Sequence, residues 1–384
     1  MSKFQPELFD TNMIQSTPID SQENTATFVS IMALNSIRGV GQKTIQAIYD
    51  LGVINSIWNL KQSELENLLA EIGKKKLNLV KIIAEEKSNL LRQGEQKVES
   101  LIREGINFVA NRFESFPQEL NTLNQPPRWL FVLGSTNVLS ATGIVAIVGT
   151  REASQEGKTT AYHLAKEFVF KNIVVLSGLA EGIDKHAHRG SVDHYGRTIG
   201  VLGHGINAAY ASKDKQLWKD IISREGAIIT EYLPDESPSR ENFLRRNELQ
   251  AALSNLIIPI ESPDLASGTG ATIRRALTLK KPLLGVETDK RENVATKRTT
   301  ENLRGLKIPI FKLPSEREKF WYFVNSTMPN HIWESNPRER QERFVNALFG
   351  DLLIINDFVE ELKRASFTEK DIDWLATQIK KRLG

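Results

Sequence analysis

Residues 243 to 247 read Phe-Leu-Arg-Arg-Asn and follow the proline-marked loop 236–242. An aromatic ring, two guanidiniums and an amide within five positions are groups that can hold a single nucleic-acid strand. Phe243 would stack a base, and Arg245 and Arg246 would neutralise phosphates beside the Asn247 amide. The same residues also suit a solvated helix start with Phe243 in the core. Arg151, Lys185, Arg189, Arg240, Arg274 and Arg275 add further cations along the chain. A second constellation is built on glycine. Ile173-Val174-Val175 runs into Ser177-Gly178, and Gly182-Ile183-Asp184 opens a helical stretch. A strand, a small-residue turn and a helix start let backbone N–H groups approach a ligand and favour an anion. Gly149-Thr150-Arg151, Gly203-His204-Gly205 and Glu261 with Ser267-Gly268 repeat that arrangement.

Other chemistries fit less well. Residues 152–159, EASQEGKT, approach a phosphate-binding Walker loop, but Glu152 stands where its first glycine belongs. Gly203 to Ala208 match GxGxxA, a lone dinucleotide fingerprint with no ribose-binding acid at a suitable distance. His186 and His188 are two apart on a predicted helix, so they face different ways and make no metal site. Asp184 reads as a helix N-cap. The chain has no cysteine, hence no thiolate nucleophile and no disulfide. No catalytic residue, metal or cofactor is expected.

The elements that must position these groups follow from periodicity. Short apolar runs at 144–148, 173–176, 198–202, 227–230, 256–260 and 283–286 alternate with helical patterns at 159–171, 185–195, 216–224, 246–254 and 272–279. That order predicts an α/β fold: an extended Rossmann-like parallel sheet with helices on both faces. Ligands of such sheets bind at the carboxyl ends of the strands, where the glycine turns fall.

Four regions are expected: a loosely ordered leader over 1–27, a helical domain over 28–112, the α/β domain over 129–313, and a small helical module over 314–384. Inside the helical domain, residues 37–44 (IRGVGQKT) resemble a helix-hairpin-helix turn. There Gly39, Gly41 and Lys43 would receive a backbone phosphate as an accessory contact. The aromatic run Phe320-Trp321-Tyr322-Phe323 reads as core or as a protein-binding surface.

The 384 residues, 40% hydrophobic and 25% charged, are those of a globular chain of two or three domains. No apolar run approaches a membrane span, and the start MSKFQPELFD is no secretory signal. A cytoplasmic location with no membrane partner is expected. The net charge of +3 is too small for bulk attraction to nucleic acid, so any such site depends on local clustering.

Taken in order, the motifs resemble the DNA-processing protein A (DprA/Smf) family. They are Gly149-Thr150-Arg151, 177–184 (SGLAEGID), Gly196 with 198–205 (TIGVLGHG), Glu231-Tyr232, Phe243 with Arg246-Asn247, and Glu261 with Ser267-Gly268. The resemblance implies a basic pocket for single-stranded DNA, a homodimer, and loading of a RecA-type recombinase in natural transformation. Family pocket positions carry over to Arg151, Ser177, Gly178, Lys185, Phe243, Arg246 and Asn247. Arg245, Ser267, Gly268 and Arg274 complete the expected DNA site. Glu248 follows Asn247 where the family usually has arginine, and a carboxylate there opposes a phosphate. Tyr210-Ala211 replaces the usual Tyr-Pro. Glu287-Thr288-Asp289 replaces the usual Pro-Gly after the last strand. These departures leave room for a role in DNA surveillance or phage defence.

A different class remains open: a nucleotide-binding sensor or phosphoribohydrolase-like enzyme of the same fold. Such hydrolases need an acid on the helix after the glycine turn, where this chain carries Arg274 and Arg275. A structural adaptor acting through its terminal helical regions is the third reading.

Overall fold

The computed structural model describes residues 22–73, 79–208, 214–288 and 294–329. The leader before residue 22, Tyr210-Ala211, Asp289 and the helices expected beyond residue 329 lie outside the described residues. The chain divides into two compact units, one of residues 1–136, 203–213 and 229–239 and the other of the remainder.

The first unit opens with α1 (Gln22–Asn35), α2 (Gln42–Asp50), α3 (Gln62–Glu71) and α4 (Leu79–Arg103). Helix α1 buries Phe28, Ile31, Met32 and Leu34. A Cβ on Gly94 of α4 would overlap the Val29 carbonyl and Ala33, so the missing side chain lets α1 and α4 touch backbone to backbone. Two strands follow, β1 (Ile106–Ala110) and β2 (Trp129–Gly134). They pair antiparallel from Ile106↔Leu133 to Ala110↔Trp129. Phe28 stacks on Phe108 at 4.8 Å between centroids. The α/β domain expected to begin at residue 129 therefore opens with half of an antiparallel pair, and the fold is mixed rather than wholly parallel. Helix α1 also starts at Gln22, inside the span expected to be leader.

The second unit alternates strand and helix: β3 (Ile144–Val148), α5 (Gln155–Phe170), β4 (Val174–Ser177), α6 (Ile183–Val192), β5 (Thr198–Val201) and α7 (Lys215–Ser223). Strand β6 (Ala227–Thr230) leads to α8 (Arg240–Leu253), β7 (Leu256–Pro259), α9 (Gly268–Thr278), β8 (Gly285–Thr288), α10 (Val294–Gly305), β9 (Ile310–Leu313) and α11 (Arg317–Thr327). Within this unit the order is β5-β4-β3-β7, with every neighbouring pair parallel. Strands β8 and β9 form a second, two-stranded parallel sheet. All residues of β3, β4, β5 and β7 are buried, as a sheet covered on both faces requires.

Three helices begin well before the starts that periodicity predicted. The Ser154 side chain caps α5 and the Ser267 side chain caps α9. Helix α8 already starts at Arg240, so the whole Phe243–Asn247 cluster is helical. The aromatic run resolves as core: Phe320 is fully buried, and Trp321 and Phe323 pack on the same cluster as Phe168 of α5. Tyr322 alone points out, 80% exposed.

Candidate nucleic-acid interface

The parallel strands deliver their carboxyl ends to one edge of the second unit, and three turns there are shaped by missing side chains. A Cβ on Gly149 would collide with Ile183. Gly182, at φ +84°, lies against the Thr150 and Arg151 carbonyls. A Cβ on Gly178 would overlap both the Arg246 guanidinium and the Asp184 carboxylate. Glycine thus brings two opposite charges against one backbone atom.

Around that point lies a buried polar cluster. Arg246, 7% exposed, donates from Nη1 to the carbonyls of Gly178 (2.6 Å) and Val201 (2.9 Å). Its Nε donates to Asn247 Oδ1 at 3.1 Å. Asn247 Nδ2 in turn donates to the Gly268 carbonyl at the start of α9, 3.1 Å away. Ser177, fully buried, donates to the Ile147 carbonyl at 2.6 Å. The Gly178 N–H donates to Asp184 Oδ2 at 3.1 Å. Asp184 was expected as an N-cap; Gly182 holds that place, and Asp184 sits in the first turn of α6 facing inward. Burial raises its pKa above the carboxylate norm, and nearby Arg246 offsets part of that rise.

His188 belongs to the same interior and is fully buried. The Thr198 hydroxyl donates to the Val175 carbonyl (2.6 Å), so it accepts from His188 Nδ1–H at 2.8 Å, which sets the tautomer. Burial first, and Arg246 second, push the imidazole down to about 3. A depressed folded value means that stability is complete above the unfolded value near 6.5 and is lost as pH falls below it. We expect this one group to remove about 2 kcal/mol by pH 5, at about 1.4 kcal/mol per pH unit. Melting curves from pH 7.5 to 5 check this: His188→Gln should decline less steeply than the parent, and parallel declines would refute it.

Toward solvent the cations differ in their engagement. Lys185 pairs with Asp214 (2.8 Å) and Glu181 (3.5 Å), and the Asp214 hydrogen bond holds its pKa above the lysine norm. Arg245 pairs with Glu248 at 2.7 Å, and Arg275 reaches the other Glu248 oxygen at 2.6 Å. Glu248 therefore sits between two guanidiniums. Arg151 and Arg274 are exposed, and neither has a carboxylate partner among the described residues. The Arg151 guanidinium lies 5.4 Å from the centroid of the half-buried Phe243 ring, with that of Arg246 at 6.0 Å. Ser267 accepts from Gly270 N at 3.1 Å as the cap of α9, and a Cβ on Gly268 would meet open space.

The remaining expected residues lie in the first unit. Gly39, at φ +87°, turns the chain after α1. Gly41 precedes α2 without a side-chain cap, and Lys43 is exposed on its first turn. Gln42 accepts from Leu233 N (3.0 Å) and donates to the Glu231 carbonyl (3.1 Å), fastening the turn to 231–233. Gly205 of the GxGxxA stretch packs on the Leu233 and Pro234 carbonyls, with no room for a Cβ.

Two residues absent from the expected site matter to it: Asp184, read as a local cap, and Glu261. Glu261 is fully buried and accepts from Ser154 N (2.9 Å), Ser154 Oγ (2.6 Å) and Thr296 Oγ1 (3.1 Å). Glu261 stood out in the sequence as a motif residue at a strand end, but its partners Ser154 and Thr296, 107 and 35 residues away, did not. No cluster of three or more potential metal ligands occurs among the described residues, and no described helix is long and apolar enough to cross a membrane.

Comparison with known proteins bears on this arrangement. DNA processing protein DprA of Bacillus subtilis is 34% identical over 173 residues, 45% of this chain and 58% of that protein. The Streptococcus pneumoniae protein of the same name is 32% identical over 164 residues, 43% of this chain and 57% of its own. The chain thus spans a little over half the length of these curated relatives. A solved structure of DNA processing protein A from Helicobacter pylori, concerned with its binding of single-stranded DNA, aligns at 27% identity with a TM-score of 0.49. It covers 58% of this chain and 94% of that one. The family profile of DNA recombination-mediator protein A matches residues 107–304. That match runs from β1 into α10, more than half of the chain and through every turn that carries the buried cluster, and the chain belongs to the DNA recombination-mediator protein A family.

Proposed function

We propose that this chain binds single-stranded DNA at the strand ends of its second unit and does no chemistry on it. The observation that carries the reading is the Arg151–Phe243 pair: a guanidinium without a carboxylate partner among the described residues, 5.4 Å from a half-buried ring. A base stacked against this ring would bring its phosphate to the cation, which is sequence-blind recognition of a single strand. Exposed Arg274 extends the charge, with Arg245 and Arg275 both held on Glu248 beside it, and Ser267 and Gly268 leave backbone accessible there. Arg246, Asn247, Ser177 and Gly178 support the turns from within. Lys185 reaches a phosphate by exchanging one of its carboxylates.

In this reading the protein is a recombination mediator that hands the strand to a RecA-type recombinase as a cytoplasmic homodimer, in DNA uptake by natural transformation. Gly39, Gly41 and Lys43 form an accessory phosphate contact in the helical region, in the manner of a helix-hairpin-helix. No cofactor is required.

Fluorescence anisotropy of labelled oligo-dT, with a duplex control and a salt series, tests this. Binding to the single strand alone is expected, with log K falling against log salt at a slope of about −2, as for roughly three neutralised phosphates. Equal affinity for duplex, or no binding at low salt, refutes it.

A further inference from the structure

Helix α5 starts in an unusual way. An N-cap serine commonly accepts from the third helical N–H, while an acid at that third position reaches back to the cap's own N–H. Here Ser154 Oγ accepts from Gly157 N at 2.9 Å, the first half of that exchange. The third residue is Gly157, which has no side chain for the second half. Its place is taken by a carboxylate from another element: Glu261, two residues past β7, accepts from the Ser154 N–H at 2.9 Å and from its hydroxyl at 2.6 Å. The substitution is steric as well as electrostatic. A Cβ on Gly157 would overlap the Glu261 carboxyl, so the glycine is what admits it. Thr296 Oγ1 donates to the same carboxylate at 3.1 Å from α10.

This carboxylate stands at the positive end of a 16-residue helix, where the Walker-like stretch 152–159 would otherwise receive a phosphate. The chain fills that place with its own anion. Glu261 also holds the preceding turn from both sides. Its carbonyl accepts from Thr150 N at 2.8 Å, and its carboxylate holds Ser154. Arg151 lies between those two anchors, and its guanidinium approaches Phe243 from there.

We propose that Glu261 is a positioning residue: it completes the cap of α5 from a distance and so fixes the turn that aims Arg151 at the strand. The inference rests on the single-strand reading given above, but its core, the pinned turn, can be measured without DNA.

The test uses the full chain carrying Glu261→Ala, in sodium acetate and in sodium chloride of equal ionic strength. Hydrogen exchange of peptides covering 150–158 and anisotropy with oligo-dT are read side by side. In chloride, exchange over 150–158 should quicken about tenfold and oligo-dT affinity should fall about fivefold, the scale of a missing cap. Acetate fits the space left by the deleted carboxymethyl group and should restore both, while leaving wild type unchanged. Wild-type exchange in the variant, or identical values in acetate and chloride, overturns the proposal. Should Glu261→Ala fail to fold, Ser154→Ala removes the hydroxyl half of the interaction; unaltered exchange over 150–158 in that variant overturns it as well. Absence of oligo-dT binding by wild type sinks the single-strand reading alone, because the exchange arm still decides whether Glu261 pins the turn.

Discussion

Phe243→Leu is expected to weaken oligo-dT binding by about 10- to 100-fold, the equivalent of about 1–3 kcal/mol for one base that no longer stacks. Leucine keeps most of the apolar volume that α8 buries there, so the melting temperature should hardly move. Phe243→Trp should bind as tightly as the parent, because a larger π-face serves the same base. Arg151→Glu should weaken binding comparably and flatten the salt slope by about 0.7 for each phosphate that is no longer neutralised. Anisotropy across a salt series reads all three variants. Unchanged affinity in both Phe243→Leu and Arg151→Glu would remove this pair from the site. These two residues are chosen over Lys185 and Arg245 because the latter are already paired with Asp214 and Glu248.

Arg246→Met should act differently, through the fold. The guanidinium satisfies the carbonyls of Gly178 and Val201 at the ends of neighbouring strands and faces Asp184 in the interior. Methionine fills the volume but leaves two buried acceptors unpaired and a buried carboxylate without its counter-charge. Breaking a buried pair from one side costs about 3–5 kcal/mol. At about 2–4 °C per kcal/mol for a domain of this size, a fall in melting temperature of about 10 °C is expected. Asp184→Asn placed in the Arg246→Met background should recover part of that stability, because the amide keeps an acceptor for Gly178 N without an uncompensated charge. Thermal unfolding of the two single variants and the double variant closes the cycle. Additive effects would show that the two side chains do not act on each other. Oligo-dT affinity of folded Arg246→Met, measured well below its melting point, separates support of the turns from direct phosphate binding.

The contrast between Phe243 and Arg246, three residues apart on one helix, shows where sequence reading stops. Both belong to a single cluster, and residue type alone assigns them to one surface. Residues three apart share a helix face, and the fold separates these two by depth: Phe243, near the start of α8 at Arg240, stays half-buried, while Arg246 one turn further in is buried with its guanidinium 6.0 Å from the Phe243 centroid. The pH behaviour of His188 was equally hidden. Two histidines at spacing two exclude a shared metal, but only the position of Thr198 and the closed interior make one of them a fully buried neutral ring.

The alternation of apolar runs with helical patterns, the glycine turns at the strand ends and the identity of the cations gathered there were all legible in the chain before any fold was known. These are local properties: β-branched runs, small residues at tight turns and basic spacing act over a few residues and need no partner. Which of those cations are engaged was settled by tertiary packing. Arg246 meets carbonyls 45 and 68 residues away, and Glu261 meets Ser154 across 107. Packing also turned β2 into an antiparallel partner of β1, against the parallel pattern of its successors. Pairing over such separations depends on where whole elements pack, and a polar group signals its need for a partner without naming which one will arrive.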